Sequence, residues 1–425
     1  MTKKDLTKKD KTENNALDGD AGRRNFLKKA FIGGAGTLLA FSSKALAQAK
    51  EGTTQAVQSS STAAAFPTRI YGKTGVPVSI LALGGIFDFV SNQILLKRAL
   101  DLGITYWDTA NSYTNGNSEL GIGQFFEKFP DARKKIFLVS KSHQLNREGM
   151  TKEFNQSLER LKTDYIDLYC MHGVRDVAKD VTPELMKLAE DLKKQGKIKF
   201  FGFSCHENMG ECLLAAAKLG GIDGITFMYN YRLFSDEKIK AGIEACFKAG
   251  IGLTVIKSQA KGWTSPAEEK EPPLVPFVQK GFSLHQAKLK AIWANEMIAS
   301  ACSAMGNLEI LSANAAAAYN KIKLSSEDMH ALQLHAQNTC TSYCAGCSNI
   351  CILALGEDYR IADVMRFMMY HHGYGETGRA REQFAQLPSE IRATVGKIDY
   401  TAAERACPQR LAIARIMREA SEILV

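Results

Sequence analysis

Asp108, Tyr113, Lys141 and His172 carry a carboxylate, a phenol, an ammonium and an imidazole, and together these groups can move a proton to or from a carbonyl oxygen. Three of them end short apolar runs that read as β-strands: Asp108 ends GITYWD, Lys141 ends IFLVSK and His172 ends YIDLYCMH. Tyr113 follows Asp108 by one short loop. If those strands are parallel neighbours, the four side chains converge at their carboxyl ends. A tyrosine is a poor acid near neutrality, with an unperturbed pKa of about 10. A neighbouring ammonium stabilises its phenolate and lowers that value. A carboxylate beside the lysine keeps the lysine charged and oriented. These roles make Tyr113 a proton donor, Lys141 its tuner and Asp108 the lysine's partner, with His172 bonding the carbonyl oxygen or relaying the proton. The hydride that completes such a reaction must come from a cofactor. Singly, each residue has an ordinary reading: a strand-end cap, a loop aromatic, a solvated lysine, a core histidine. Their succession at strand ends argues against four coincidences.

The elements that would position them form a regular series. A hairpin reads RIYGKTGVPVSI, with Lys73-Thr74-Gly75 at its turn. Strands are then predicted to begin near Ile80, Ile104, Ile136, Ile166, Lys199, Ile225, Ile251 and Ile298. Helical patterns lie between them, such as Gln93–Leu102, Phe154–Leu161 and Glu184–Lys194. In the last, Leu185, Leu188, Ala189 and Leu192 fall at helical spacing. Strand-then-helix units over about 250 residues predict an α/β fold, a (β/α)8 TIM barrel. A doubly wound open sheet would want a glycine-rich nucleotide loop after its first strand, and Leu83-Gly84-Gly85-Ile86 is not one. The stretch Gln259–Ser283, with Pro266, Pro272, Pro273 and Pro276, reads as a loop over the barrel mouth. The barrel pattern ends near Asn320. The predicted organisation is a barrel over 67–320 and a small helical, cysteine-containing carboxy-terminal domain over 321–425.

The net charge of +9 misleads, because residues 1–47 hold ten Lys/Arg and five Asp/Glu and so supply +5 of it. No basic stripe with interleaved aromatics follows, which argues against nucleic-acid binding. Arg23-Arg24-Asn25-Phe26-Leu27-Lys28-Lys29 precedes an apolar run, Ala30–Phe41, and then Ala45-Leu46-Ala47. A basic region, a modest apolar core and a small-x-small site make 1–47 a signal peptide. Its paired arginines followed by Phe-Leu-Lys resemble the twin-arginine export signal. The apolar run falls well short of the ~20 residues a membrane span needs. The resemblance implies passage of an already folded, cofactor-loaded protein through the twin-arginine machinery to the periplasm. The Ser/Thr/Ala-rich stretch 48–66 reads as a flexible linker.

The barrel sequence resembles the aldo/keto reductase family from about Thr68 to Ala318. RIYGKTGVPVS is similar to the family's amino-terminal hairpin, and WDTANSYTNGNSELGIG to its D-T-A-x-x-Y-x-x-G-x-S-E-x-x-L-G segment, one residue shorter before the last glycine. VSKS and YCMHG carry the lysine and histidine in order. The resemblance implies that Asp108, Tyr113, Lys141 and His172 are a catalytic tetrad acting with NADP(H) or NAD(H). It also implies cofactor contacts. Ser204 stands where the family holds the nicotinamide amide, although the next residue is Cys205 rather than Asn. Tyr229 begins the Tyr-Asn pair, with Thr226 in place of the usual Gln. Lys257, Ser258 and Lys261 are placed to meet phosphate, and Glu309 and Asn314 to meet the adenine side. No Lys or Arg occurs between Ser303 and Asn314 to meet a 2′-phosphate, so both nicotinamide dinucleotides stay open.

Of ten cysteines, Cys340, Cys344, Cys347 and Cys351 lie within twelve residues and Cys407 is followed by proline. The other five are scattered through the barrel and read as small buried apolar residues. Disulfides, a zinc knot, an iron–sulfur cluster and coincidence compete for the clustered set. The run is C-x3-C-x2-C-x3-C, one residue longer in its first gap than a common [4Fe–4S] spacing. It resembles the ferredoxin-like tail of one branch of the aldo/keto reductases, as does Ala380-Arg381-Glu382-Gln383-Phe384 with Ala406-Cys407-Pro408-Gln409. That resemblance implies one [4Fe–4S] cluster on Cys340, Cys344 and Cys347, with Cys351 or Cys407 as fourth ligand. The sequence as a whole points to an exported NAD(P)-dependent oxidoreductase acting on a carbonyl or alcohol, sugar-like in character, with an electron-transfer partner. A cytoplasmic NADPH-dependent carbonyl reductase with accidental twin arginines and a non-catalytic barrel used as a binding module are the alternatives.

Overall fold

The apolar runs of the first half, rich in Ile, Val, Leu and Phe, suit strands buried on both faces. They fold accordingly in the computed structural model, which describes residues 65–260, 277, 279–339 and 343–425. The expected signal peptide, nearly all of the expected linker, the four loop prolines, Lys261 and Cys340 lie outside the described residues.

A hairpin of β1 (Thr68–Ile70) and β2 (Pro77–Ser79) pairs antiparallel. Then come β3 (Leu81–Gly84), β4 (Tyr106–Asp108), β5 (Phe137–Ser142), β6 (Ile166–His172), β7 (Ile198–Cys205), β8 (Gly224–Met228), β9 (Gly252–Ile256) and β10 (Ser300–Ala304). These eight close into a barrel in sequence order, with β10 pairing β3, and every pair is parallel. Helices follow the strands: α1 (Gln93–Asp101), α2 (Asn117–Lys128), α3 (Arg147–Leu161), α4 (Pro183–Lys194), α5 (Met209–Leu219), α6 (Glu237–Lys248), α7 (Leu284–Trp293) and α8 (Leu308–Tyr319). The strands begin within two residues of their predicted starts. In α4 the residues Leu185, Leu188, Ala189 and Leu192 are all buried, and Thr182 caps its amino end by accepting from the Leu185 N–H.

The hairpin plugs the amino end of the barrel. Tyr71 is fully buried there against Tyr106 and Phe137. Gly252 makes room for it, since a Cβ at that position would come within 2.3 Å of the Tyr71 ring. With that end closed, the cavity opens at the strand carboxyl ends.

The tail is helical, as expected: α9 (Ser326–Asn338), α10 (Ser348–Leu355), α11 (Ile361–Met368), a π-helical turn (Met369–Gly373), α12 (Thr377–Ala385), α13 (Ser389–Thr394), α14 (Thr401–Ala406) and α15 (Ile413–Ile423). It has its own apolar core, in which Val364, Met368, Phe384, Val395 and Ile416 are buried. The described residues of barrel and tail nevertheless form one compact unit with the tail seated on the barrel mouth. Among the described residues no helix is long and apolar enough to cross a membrane.

Candidate active site

The parallel register carries out the convergence that the sequence implied. Asp108 stands beside Val139 of β5, Lys141 beside Cys170 of β6, and His172 beside Ser204 of β7. Lys141 Nζ donates to Asp108 Oδ1 at 2.6 Å and to the Thr109 carbonyl at 2.7 Å. Both members of this ion pair are buried. The ammonium lies 5.0 Å from the centre of the Tyr113 ring, and that ring meets His172 edge-on at 5.6 Å.

The loop holding Tyr113 is built by the motif around it. Thr114 and Asn115 have left-handed backbone, with φ of 49° and 54°, which is costly for residues with a Cβ. Gly116 follows at φ 91°, and a Cβ there would come within 2.6 Å of the Arg160 guanidinium. Arg160 donates to the Asn111 carbonyl at 2.9 Å and pairs with buried Glu119 at 3.4 Å. Glu119 also accepts from Ser140 at 2.5 Å, while Ser118 bonds Thr109 at 2.6 Å. The Ser-Glu of the motif is therefore a buried brace joining the Tyr113 loop to β5 and α3.

One electrostatic expectation is corrected. Burial pushes the Tyr113 phenol up to about 12, and the opposing pull of Lys141 does not overcome it. Lys141 works against its own burial, and Asp108 raises its pKa and holds it charged. Because burial outweighs the pull of the lysine, Tyr113 is a protonated phenol across the neutral range. Burial first, then His143 and Lys141, hold the His172 imidazole well below its usual value, so it is neutral.

These residues face a cavity of about 490 Å³ with Asp108, Tyr113, His172, Lys257, Ser258 and Ser303 on its wall. That volume suits a small-molecule site. Asp108 Oδ2 and His172 Nδ1 are buried on it without a hydrogen-bond partner. A neutral imidazole with an unsatisfied nitrogen fits a carbonyl or a carboxamide. Lys257 and Ser258 reach the wall as expected. Ser204 and Tyr229 are absent from it: Ser204 Oγ accepts from the Gly173 N–H at 3.1 Å, and Tyr229 packs against Phe234. Glu309 is exposed in the first turn of α8, and Asn314 is buried against Ser303 at 3.2 Å. Neither lines the cavity.

Sequence reasoning missed much of the wall. His143 lies flat on His172 with ring centres 3.9 Å apart, and His206 faces the cavity from just beyond β7. The tail adds Arg366, Tyr370, Tyr374, Glu376, Arg379 and Gln383. Arg175 clasps barrel to tail, binding Glu207 at 2.6 Å and Asp358 at 2.9 Å. Gly346 supplies a second clasp. Its carbonyl accepts from the Asn208 N–H at 2.7 Å, and a Cβ on it would come within 2.4 Å of the His206 carbonyl. The only sequence signal for these parts was the Ala380–Phe384 segment, whose Glu382 and Gln383 do reach the wall.

Cys344, Cys347, Cys351 and Cys407 all line one small apolar hollow beneath α11, and none is in a disulfide. Burial, and the nearness of the other thiols, raise the pKa values of Cys344, Cys347 and Cys351. Among the described residues, no three His, Cys, Asp or Glu side chains stand close enough to hold a single metal ion. The hollow between this site and the barrel cavity shares Cys344 with the first and His206, Lys257 and Arg366 with the second.

The fold and site define a (β/α)8 barrel with a buried Asp–Lys pair, a tyrosine and a histidine at its strand carboxyl ends. The chain belongs to the aldo/keto reductase family, whose pattern matches residues 82–306. An aldo-keto reductase of Fusarium vanettenii is 28% identical over 231 residues, covering 44% of this chain and 62% of its own. The aldo-keto reductase yakc [NADP(+)] of Schizosaccharomyces pombe is 28% identical over 221 residues, covering 48% and 64%. The chain thus spans under two thirds of these curated relatives. A solved thermostable aldo-keto reductase in complex with the inhibitor epalrestat is 26% identical with a TM-score of 0.52, covering 63% of this chain and 99% of its own.

Proposed function

We propose that this protein is an oxidoreductase that moves hydride between a nicotinamide dinucleotide and a carbonyl or alcohol substrate of sugar-like character. The observation that carries this reading is the meeting of Tyr113, His172 and Asp108 on one cavity at the strand carboxyl ends, with Lys141 paired to Asp108 behind its wall. When bound, the nicotinamide supplies or accepts the hydride. Tyr113 holds the proton exchanged at the substrate oxygen. His172 presents its neutral ring to that same oxygen, and the packed ring of His143 fixes its tilt. Lys257 and Ser258 are the residues on the wall suited to the dinucleotide phosphates; Glu309 and Asn314 of α8, off that wall, would meet the adenine side only of a dinucleotide that extends beyond the cavity. The naming of NADP(+) for the fission-yeast relative favours NADP(H).

In the same reading the tail holds one [4Fe–4S] cluster on Cys340, Cys344 and Cys347, with Cys351 or Cys407 as fourth ligand. The twin arginines direct the folded, loaded protein to the periplasm, where a bound nicotinamide is recycled by substrate or through the cluster to an electron partner. The test is protein purified anaerobically from the periplasm. Its absorption spectrum should carry an iron–sulfur shoulder in the visible blue, and the released nucleotide identifies the cofactor. Protein that contains no nicotinamide and is not reduced by it defeats the proposal. Recovery of a tagged chain only from the cytoplasm defeats the export.

A further inference from the structure

Two tyrosines with a lysine close by, Tyr113 and Tyr370, line the cavity, and the proposed hydride transfer uses Tyr113. We propose that Tyr370, held by Lys257, is a second proton-transfer residue that acts as a base on the carbon next to the carbonyl addressed by Tyr113. The substrate class is then an α-hydroxy aldehyde or ketone. This rests on the reading of Tyr113 as the group facing the carbonyl oxygen.

The geometry sets the two pairs apart. Lys141 is tied to a carboxylate at 2.6 Å. Lys257 instead donates to the Tyr370 hydroxyl at 3.0 Å and lies 4.5 Å from the centre of its ring. The Arg379 guanidinium lies 3.9 Å over the same ring. Arg379 lines the same cavity as Tyr113. Tyr370 sits in the π-helical turn after α11, a local widening that often marks functional positions. A latch between barrel and tail would need no cavity face, yet Tyr370 and Lys257 both line the cavity.

The groups facing Tyr370 come from each packed element: Lys257 after β9, Arg366 of α11, Tyr374 after the turn, Glu376 before α12 and Arg379 within it. Arg366 is paired with Asp363 at 2.5 Å and Arg379 with Glu376 at 2.7 Å. Burial alone would raise the phenol, but Lys257, Arg379 and Arg366 outweigh it and bring Tyr370 down to about 7. Tyr370 is therefore substantially ionised at a pH where Tyr113 is protonated.

The step balances without a redox partner. The C–H bond next to the carbonyl breaks and an O–H bond forms on Tyr370. The C–H electron pair becomes the carbon–carbon double bond of an enediol, and the carbonyl oxygen takes the proton from Tyr113. Reversal returns a proton to carbon. In heavy water the result is deuterium at that carbon; protonation on its opposite face gives the epimer, and the aldose–ketose isomer forms when the Tyr113 phenolate takes the proton of the other enediol hydroxyl while Tyr370 protonates the former carbonyl carbon.

The test uses full-length protein with dihydroxyacetone and glyceraldehyde in heavy water, with no nicotinamide added, followed by proton NMR. Exchange above the buffer rate is expected, falling at least ~10-fold in both Tyr370→Phe and Tyr113→Phe. Ultraviolet titration provides a second readout that does not depend on turnover. One tyrosinate should titrate near pH 7, be absent in Tyr370→Phe, and move upward in Lys257→Met. Exchange unchanged in Tyr370→Phe, or no tyrosinate titrating near neutrality, overturns the inference. If the wild type shows no exchange but reduces a carbonyl with NADPH in a Tyr113-dependent way, the second base is wrong and the reductase reading stands. If neither reaction occurs, both fall.

Discussion

Lys141 donates to Asp108 at 2.6 Å while standing 5.0 Å from the centre of the Tyr113 ring. The lysine's charge is answered mainly by the carboxylate, and the phenol beside it keeps its proton. An ammonium aimed at Tyr113 alone would have favoured a phenolate, which is the wrong protonation state for giving a proton to a carbonyl oxygen.

Removing that phenolic oxygen is the direct test of the chemistry. Tyr113→Phe should lower kcat for NADPH-dependent carbonyl reduction by about 10²–10⁴-fold, the usual span for one acid–base group. KM should change far less. Unchanged turnover would remove Tyr113 from the chemistry, and no turnover in the wild type would favour a barrel that binds without catalysing.

Asp108→Asn should leave Lys141 as an unpaired buried cation. A loss of about 3–5 kcal/mol of stability is expected in urea melts. Adding Lys141→Met should recover part of it, because the uncompensated charge is then gone. A single variant as stable as the wild type would show that the pair contributes little to folding.

Stability should fall in mild acid. Burial first, then neighbouring cations, hold the His172 and His206 imidazoles well below the usual 6.5. Below that value the unfolded chain takes up protons that the folded chain refuses. Stability is therefore full above pH ~6.5 and declines beneath it, by up to roughly 1.4 kcal/mol per pH unit for each ring. His172→Gln should flatten the decline in denaturant melts, and an identical slope would count against the assignment.

Gly346→Ala should loosen the tail from the barrel. Its φ of 74° disfavours any Cβ, and the added methyl would meet the His206 carbonyl. A cost of about 1–3 kcal/mol is expected from the backbone alone. Limited proteolysis should then cut between α8 and α10 sooner than in the wild type.

Iron counts on cysteine variants should separate the ligands. Cys344→Ser and Cys347→Ser should both lower iron per chain. Of Cys351→Ser and Cys407→Ser, one should retain it, and full iron in both would remove any unique fourth ligand.

The barrel was legible because each of its strands announces itself locally. Short apolar runs, glycines after helices and polar caps before them are short-range signals, set by sterics and by burial of the nearest side chains. The order Asp108, Tyr113, Lys141, His172 became a site once parallel neighbours were assumed, since parallel register aligns carboxyl ends. The net rise of the Tyr113 pKa was not legible, because it depends on how completely the ring is buried.

What the sequence determined by itself was the barrel, the tetrad on its mouth and the cysteine-bearing helical tail. Only the tertiary structure decided which groups share the cavity. It brought Tyr370 to Lys257 across 113 residues of chain, laid Arg379 over that phenol, and turned Ser204 and Tyr229 away from the wall. The physical reason is that docking of tail on barrel is settled by contacts between distant segments, such as Arg175 with Asp358 and Gly346 with His206. No local pattern of apolar and polar residues encodes such pairings.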